Sequence, residues 1–319
     1  MKHLDRRAFL GATACSSLTF AAKAQGQTLK FVVPIPAGTT ADIVARAIKD
    51  PLEKALRLTI VVEDKPGAGG SIAAKYVANG DASTFLFATS SAMFAGVMSV
   101  KNVADDFILS NFAPVSLLGR YAFVLVVNDQ VPSRTLKEFI EYAKKHQLAF
   151  GRGAPFAYPL TAEFNKLVGI TALDLPAGTG GERSTIQDLL SNRIQYYIAT
   201  TFLAEPHIRS GKLKALAIAT GNRSVILPEV PTMAEAGLPE FVPLESCSAL
   251  FGSKNLPASE AARIAGALKE VIARDDLKEL FKKMDFWPAT STPEELTSYT
   301  AKQLAAWRAV QKKTGIEPQ

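Results

Sequence analysis

Short apolar runs alternate along this chain with longer segments in which apolar residues recur at helical spacing. Unbroken runs such as AFVLVV and ALAIAT indicate strands covered on both faces, as in parallel sheets under helices. Together the alternation predicts an α/β architecture. The predicted strands are 28–34, 58–63, 84–89, 121–128, 148–151, 171–176, 194–199, 213–219 and 247–252, and the predicted helices are 40–56, 135–146, 261–273 and 292–313.

Polar residues mark the starts of several predicted helices. Thr39 and Asp42 have the spacing of a capping box before the first helix, with Asp in place of the usual Glu. TLKE at 135–138 and TPEE at 292–295 have the full capping-box pattern. Pro51 is expected to bend the first helix or to divide it, because proline cannot donate the helical hydrogen bond.

The first 24 residues have the pattern of an export signal. A basic start is followed by an apolar stretch over 9–22 and an Ala-Lys-Ala cleavage pattern at 22–24. The segment RRAFL resembles the twin-arginine signal, but Asp5 and Gly11 depart from its usual flanks, so the Sec route stays open. We expect residues 1–24 to be a signal peptide that is removed on export to the periplasm.

Composition narrows the function classes. The net charge of +6 becomes +3 without residues 1–24, which hold four of the 36 basic and one of the 30 acidic residues. No basic cluster with interleaved aromatics occurs, which argues against a nucleic-acid partner. Cys247 then stands alone in an apolar run and is expected to be buried and inert. No pair of His, Cys or carboxylate residues has metal-site spacing, so no metal and no cofactor is expected.

In open α/β sheets ligands bind at loops that leave a strand and enter a helix. The loop PIPAGTTAD is the first of these and contains Ala37, Gly38, Thr39 and Thr40. Unpaired N–H groups at the helix start would form an anion site. A plain helix cap made by Asp42 explains the same residues, and these residues alone do not decide between the two interpretations.

Two further loops follow in the first half of the chain. The segment DKPGAGGSIAAKYV, with Gly69 and Gly70, matches neither the dinucleotide fingerprint nor a P-loop, and is interpreted as a turn that presents N–H groups. In ATSSAMF, Ser90 and Ser91 could contact a ligand or only cap a helix. A nucleophile there would lack both the G-x-S-x-G elbow and an obvious base.

The second half of the chain repeats the arrangement. Arg152 lies between two glycines and could pair with a carboxylate, although an exposed arginine in a loop explains the same sequence. The segment LPAGTGGERST again places glycine and threonine between a strand and a helix. Two such rims predict a ligand cleft between two α/β lobes. The residues of this half expected to line it are Arg152, Gly153, Tyr158, Gly178, Thr179, Thr200 and Thr201.

Longer stretches carry a family resemblance. VVPIPAGTTADIVAR, VVEDKPGAGGSIAAKYVA, PHIRSGKLKALAIATGNRSVILPEVPTMAEAGLPEF and the C-terminal STPEELTSYTAKQLAAWRAVQKKTGIEP resemble segments of the tripartite tricarboxylate transporter substrate-binding family, the Bug receptors. The matches cover nearly the whole chain after the signal. The resemblance favours the anion-site interpretation, with Gly38 and the N–H groups of Thr39 and Thr40 facing a carboxylate. Asp42 is then a structural cap that orders the loop.

The resemblance implies a type II periplasmic binding protein fold, in which two doubly wound α/β domains are joined by two crossover segments. Domain 1 would comprise 25–124 and 247–319 and domain 2 would comprise 125–246, with crossings near 121–127 and 246–250. It also implies a monomeric, non-enzymatic protein that captures a small organic acid (a mono-, di- or aromatic carboxylate) for the transporter's membrane subunits.

The chain departs from the family pattern at several positions. Thr39 replaces a glycine, Gln195 stands where Asp is usual, and Tyr196 and Tyr197 follow it. We hypothesise that these changes, with Arg152, favour a carboxylate over an ammonium group. Two alternatives in function remain: a solute-sensing accessory to a signalling system, and a secreted serine hydrolase that uses Ser90 or Ser91.

Overall fold

The structure is a computed structural model that describes residues 28–95, 107–153, 156–176, 181–241 and 244–315. The proposed signal peptide, residues 1–24, lies outside the described residues. The strands, numbered in chain order, are β1 Thr28–Val33, β2 Thr59–Asp64, β3 Thr84–Thr89, β4 Phe112–Tyr121, β5 Phe123–Asn128, β6 Leu148–Gly151, β7 Ala172–Leu175, β8 Tyr196–Thr200, β9 Leu213–Ile218, β10 Cys247–Ser253 and β11 Phe286–Pro288.

Helices separate most of these strands, as the hydrophobic pattern predicts. A 3₁₀ turn, Ala68–Gly70, precedes the second helix, and a π turn, Ser91–Ala95, follows β3. The helices are α1 Thr40–Leu56, α2 Ser71–Ala78, α3 Phe107–Asn111, α4 Leu136–Ala143, α5 Ala157–Val168, α6 Glu182–Leu190, α7 Thr201–Arg209, α8 Ala258–Ile272, α9 Asp275–Lys283 and α10 Pro293–Thr314.

The strands form two sheets, each at the centre of one lobe. The first sheet has the order β11-β4-β10-β3-β1-β2, and the second has the order β7-β6-β8-β5-β9. The chain passes from the first sheet to the second at Ala122, between β4 and β5, and returns between β9 and β10. This mixed α/β, two-sheet architecture confirms the predicted fold class. The exact domain boundaries, 25–124 with 247–319 and 125–246, stay a prediction.

Both sheets are mixed rather than parallel. Strands β1, β2 and β3 run parallel, as do β6, β7 and β8, whereas β10 and β5 pair antiparallel with their neighbours. The runs AFVLVV and ALAIAT, which suggested parallel strands, belong to the antiparallel pair of β5 and β9. Their unbroken hydrophobicity reflects burial on both faces, which does not depend on strand direction.

The structure corrects the bounds of one predicted strand, adds a strand that was not predicted, and excludes one of the two outcomes expected at Pro51. The predicted strand 121–128 is the end of β4 and the whole of β5, separated at the crossing. Strand β4 itself was not predicted, because Pro114 and Gly119 interrupt its apolar pattern. Helix α1 continues through Pro51 without division.

The C-terminal helix α10 packs on β4 and against α5, so it contacts both lobes. Trp307 of α10 is buried, stacking on Phe94 of the first lobe at a centroid distance of 6.1 Å and meeting Phe156 of the second edge-on at 5.0 Å. Nearby, Lys313 forms an ion pair with the buried Glu163 of α5 at 2.9 Å. The C-terminal segment therefore joins the lobes through aromatic and ionic contacts.

Candidate functional site

The carboxyl ends of the parallel strands lie at one cleft. β1, β2 and β3 deliver the loops after Val33, Asp64 and Thr89, and β6 and β8 deliver the loops after Gly151 and Thr200. Because parallel strands end at the same edge of a sheet, each lobe presents several loops together. The cleft between them has a volume of about 430 Å³.

The first lobe contributes mainly backbone and small side chains to the cleft, and the second contributes the charged groups. Eight residues predicted from the sequence line it, together with several that were not predicted. The predicted lining residues are Thr39, Thr40, Gly69, Gly70, Ser91, Arg152, Gly153 and Thr200, and the unpredicted ones include Thr89, Tyr121, Phe123, Glu182 and Leu203.

The N-terminus of α1 presents unpaired donors to the cleft. The backbone N–H groups of Thr39, Thr40 and Ala41 have no acceptor among the described residues, as expected for the first turn of a helix. The helix dipole adds partial positive charge at the same place. Asp42 accepts a hydrogen bond from the N–H of Gly38 at 2.7 Å, which orders the loop. Thr39 and Asp42 do not form the reciprocal capping box, because no described donor bonds to the Thr39 side chain.

Gly38 and Ala37 are not among the described residues that line the cleft. The N–H of Gly38 is already bonded to Asp42, so it is not a donor for a ligand. Gly38 has φ +75°, a conformation that favours glycine, and its carbonyl accepts a hydrogen bond from Arg183 of the second lobe at 2.5 Å. The structure therefore gives Gly38 a role in shaping the loop and joining the lobes.

The glycines of the second loop permit a close approach of backbone segments. Gly70 has φ +96°, and a Cβ atom there would lie 2.5 Å from the Cβ of Ala92. Its N–H bonds to the carbonyl of Gly67 at 2.9 Å, closing the 3₁₀ turn before α2. Gly69, also at positive φ, lines the cleft beside it. The loop is thus a tight turn at the cleft wall, as the sequence indicated, but the N–H of Gly70 is used within the turn rather than presented to a ligand.

The two serines after β3 have different roles. Ser90 is fully buried and accepts a hydrogen bond from the N–H of Cys247 at 2.7 Å. It is not among the described residues that line the cleft. Ser91 lines the cleft and accepts a hydrogen bond from the N–H of Phe156, in the second lobe, at 3.3 Å. Among the described residues, neither Ser90 nor Ser91 forms a hydrogen bond with His146 or His207. Cys247 is buried, and burial raises the pKa of its thiol.

Arg152 lines the cleft, but its charge is paired. Its Nε donates to Asp174 at 2.5 Å, and Nη2 forms a second ion-pair contact with the same carboxylate. The guanidinium also lies over the ring of Tyr158, 4.5 Å from the centroid, and Tyr158 does not itself line the cleft. Beside it, Gly153 must lack a side chain, because a Cβ would lie 2.4 Å from the hydroxyl of Thr185. Only the Nη1 edge of Arg152 lacks a described partner.

A carboxyl group that the sequence analysis missed lies at the cleft in the same lobe as Arg152. Glu182 begins α6, and its Oε1 accepts hydrogen bonds from the N–H of Thr200 at 2.6 Å and from its hydroxyl at 3.0 Å. Burial raises the pKa of Glu182 to about 7, against the opposing effect of the Thr200 hydrogen bonds. Thr201, by contrast, is buried and donates to the carbonyl of Ala122, away from the cleft.

The remaining candidates are placed elsewhere. Gly178 and Thr179 lie outside the described residues. Gln195 accepts from the N–H of Ala149 and donates to Asn192, so it orders the turn before β8. Tyr196 and Tyr197 are fully buried and are not among the described residues that line the cleft. The hypothesis that these three positions select the ligand by contact is therefore not supported by their placement.

Three further features of the described chain bear on its possible functions. A larger groove, of about 700 Å³, lies between α8 and the start of α10, outside the cleft and lined largely by alanine and glycine along α8. No group of three or more possible metal ligands occurs within the described ranges. None of the helices described is both long and apolar enough to cross a bilayer.

Two α/β lobes that are joined by two crossings, with helix N-termini at a cleft between them, define the class of solute-binding proteins that close on a small ligand. Within this class, the chain belongs to the family described as "Tripartite tricarboxylate transporter family receptor", whose model matches residues 44–316. The family is one of substrate-binding receptors.

Individual relatives agree with this assignment. Protein BugT of Bordetella pertussis is 30% identical over 295 residues, which cover 91% of this chain and 90% of BugT. MatC from Rhodopseudomonas palustris with bound malate is 28% identical, with a TM-score of 0.77 over 89% of this chain and 98% of MatC. The periplasmic binding protein BugD is 25% identical, with a TM-score of 0.81 over 92% of this chain and 99% of BugD.

Proposed function

We propose that this protein is a periplasmic receptor that captures a small organic acid in its cleft and delivers it to the membrane subunits of a tripartite transporter. The observation that carries the proposal is the set of unpaired N–H groups at the start of α1, on Thr39, Thr40 and Ala41. Such groups bind a carboxylate through hydrogen bonds and the helix dipole. The malate bound to MatC, a relative at 28% identity, supports this ligand class.

Ligand capture would work by domain closure. A ligand that contacts both lobes binds more tightly when the lobes are close together, so its binding shifts the population toward the closed form. The two crossings, at Ala122 and between β9 and β10, are the connections about which the lobes would move. The cleft volume of about 430 Å³ is in the range of small-molecule sites, and the charge of Arg152 is largely paired with Asp174.

Calorimetry on the purified, ligand-stripped protein tests the proposal directly. The panel is malate, succinate, lactate, benzoate and glutamate, with chloride as a reference anion. We expect at least one acid to bind with one-to-one stoichiometry. A folded protein that binds none of these acids would contradict the proposal.

A pair of substitutions at Thr40 tests the carboxylate site. Thr40→Pro removes one N–H at the first helical position, where proline is tolerated, and Thr39 before it already has the extended conformation that proline requires. Thr40→Val retains the N–H and removes only the hydroxyl. A charge-assisted hydrogen bond is worth about 1.5–3 kcal/mol, so Thr40→Pro should weaken binding at least about tenfold more than Thr40→Val. Equal effects would place the carboxylate elsewhere.

Delivery and export are tested separately. Membrane subunits of a tripartite transporter should retain the ligand-loaded protein on a pull-down more strongly than a sensor domain does. For export, replacing both arginines of the RRAFL segment by lysine should hold the protein in the cytoplasm if the twin-arginine route is used, and should have little effect on Sec export. Cell fractionation measures both outcomes.

A further inference from the structure

At the end of strand β8, the donors of Thr200 are already bonded within the second lobe. Thr200 is the residue before α7 and has a backbone N–H and a hydroxyl at the cleft wall. Both groups donate to a single atom, Oε1 of Glu182, at 2.6 and 3.0 Å. A carboxylate of the chain itself thus occupies the position where a ligand carboxylate would bind at this helix start.

The second oxygen of Glu182 is placed differently. Glu182 lines the cleft, and its Oε2 receives no hydrogen bond from the described residues. Arg183, the next residue, donates to Gly38 rather than to Glu182. The cleft's other charged group, Arg152, is held by Asp174. When Glu182 is ionised, the second lobe therefore presents an acceptor, together with a largely compensated positive charge.

We propose that Glu182 is a specificity-determining residue, whose Oε2 accepts a hydrogen bond from a hydroxyl or ammonium group of the bound acid. The ligand class is then a carboxylic acid that carries a hydrogen-bond donor at the end away from its carboxylate. The carboxylate lies at α1, and the donor lies at Glu182. This inference rests on the proposed function and specifies the substrate class of the same site.

The structural setting supports selection between ligands. A plain acid would leave Oε2 desolvated and unpaired when the cleft closes, which costs free energy that a donor-bearing acid avoids. A second carboxylate facing the ionised Glu182 would add repulsion between like charges. The charged and titratable groups that face Glu182 are Arg183 of its own helix and Tyr121 of β4, with Arg152 at the same cleft. None of these is a described hydrogen-bond partner of Oε2.

The test compares acids that differ only in the donor. Butanoate, 4-hydroxybutanoate and 4-aminobutanoate form one set, and propanoate and 3-hydroxypropanoate form another, each titrated by calorimetry at pH 8, where Glu182 is largely ionised. We expect each donor-bearing acid to bind at least tenfold more tightly than its plain partner. The hydroxy and amino members distinguish the two donors. At pH 7 the amino acid should also release protons from Glu182, which is measured by titration in two buffers of different ionisation enthalpy.

Glu182→Gln is the decisive variant. The two donors of Thr200 hold the amide oxygen at the Oε1 position, so the amide NH₂ takes the position of Oε2 and changes it from an acceptor to a donor. The preference within each set should then be lost or reversed. Glu141→Gln, on the exposed face of α4 in the same lobe, is the matched control and should leave every ratio unchanged.

The outcomes separate the two proposals. If acids bind but the ratio within each set is near one, or if Glu182→Gln leaves a tenfold ratio unchanged, the inference about Glu182 is wrong while the proposed function stands. If Glu182→Gln loses affinity for all acids equally, Glu182 only supports the fold of the cleft and the inference is again wrong. If no acid binds the folded protein, the proposed function fails and this inference fails with it.

Discussion

Nη2 of Arg183, in the second lobe, donates a hydrogen bond to the carbonyl of Gly38, in the first lobe, at 2.5 Å. The contact links the start of α6 to the loop that carries the carboxylate donors of α1. The contact is exposed, so solvent screening limits its contribution to the free energy of lobe closure. It is nonetheless a contact that exists only while the lobes are together, and the affinity for a ligand should depend on it.

Arg183→Ala should therefore weaken ligand binding by about two- to fivefold, which corresponds to roughly 0.5–1 kcal/mol. The loss should appear mainly in the dissociation rate, because the contact holds the closed form. Stopped-flow fluorescence and calorimetry measure the two quantities. Arg193→Ala is the control, since Arg193 pairs within its own lobe with Asp188. Equal effects of the two variants would count against the role of the contact.

Gly38→Val should abolish measurable binding while the protein remains folded. Valine at φ +75° is strained by about 1–2 kcal/mol, and relief of that strain would move the N–H groups of Thr39 and Thr40. Gly237→Val provides a matched control, because Gly237 has φ +95° and open space around it but lies outside the cleft. The control should lower the melting temperature and leave the affinity unchanged. Unchanged affinity in Gly38→Val would mean that the loop does not position the donors.

Asp174→Asn and Arg152→Ala should have opposite effects on an anionic ligand. Removing the Asp174 charge frees the guanidinium of Arg152 at the cleft wall, so the affinity should rise by a few-fold. Removing Arg152 leaves Asp174 without its partner near the cleft, so the affinity should fall. Calorimetry with one acid on both variants measures the signs. A decrease in both would show that the pair only supports the loop.

The stability of the protein should depend on pH through Glu182. Its pKa of about 7, raised from 4.5 by burial, means that the folded state holds the proton more tightly than the unfolded state. This contribution to stability is fully present below pH 4.5 and is lost as pH rises through about 7. One pKa unit corresponds to about 1.4 kcal/mol, so the loss is on the order of 3 kcal/mol at most.

Urea unfolding of wild type and Glu182→Gln between pH 4.5 and 8 measures this contribution. The variant carries no titrating group at this position, so wild type should lose stability relative to it across the window. Glu141→Gln, in an exposed position, should follow wild type at every pH. A constant difference between wild type and Glu182→Gln would show that the carboxyl titrates near its ordinary pKa.

Lys313→Ala should destabilise the protein by about 1–3 kcal/mol, because it leaves the buried Glu163 without its cation. The partial exposure of Lys313 places the effect below that of a fully buried pair. Adding Glu163→Gln to Lys313→Ala should recover most of the loss, and Lys312→Ala, at an exposed neighbouring position, should change little. Thermal denaturation measures all four proteins, and failure of the double variant to recover would contradict the electrostatic explanation.

The hydrophobic pattern predicted most of the secondary structure, because most strands are covered on both faces and most helices are amphipathic. It did not predict β4, whose pattern Pro114 and Gly119 interrupt, nor the three-residue β11. It also could not locate the crossing at Ala122, because β5 continues the apolar run that begins at the end of β4. Strand direction was likewise not encoded in the runs themselves.

The sequence predicted the parts of the site that are formed by backbone groups. It did not predict the parts that depend on which side chains pair with each other. The glycine and threonine loops at 38–40 and 69–70 follow from local sequence. The pairing of Arg152 with Asp174 joins residues 22 positions apart at the neighbouring strands β6 and β7. The pairing of Glu182 with Thr200 joins the start of α6 to the end of β8, 18 positions away. Nothing in the local sequence distinguishes these charges from exposed ones. ERST, directly after a glycine-rich loop, was the available signal for Glu182.

The contacts of Trp307 give the protein a built-in optical reporter. Its indole lies between Phe94 and Phe156, which belong to different lobes, so a relative displacement of the lobes changes its surroundings and its emission. The sequence has one other tryptophan, Trp287, and Trp287→Phe would leave Trp307 as the single indole. Opening and ligand capture could then be followed in real time without an attached dye, which would make the chain a candidate scaffold for a label-free biosensor of organic acids.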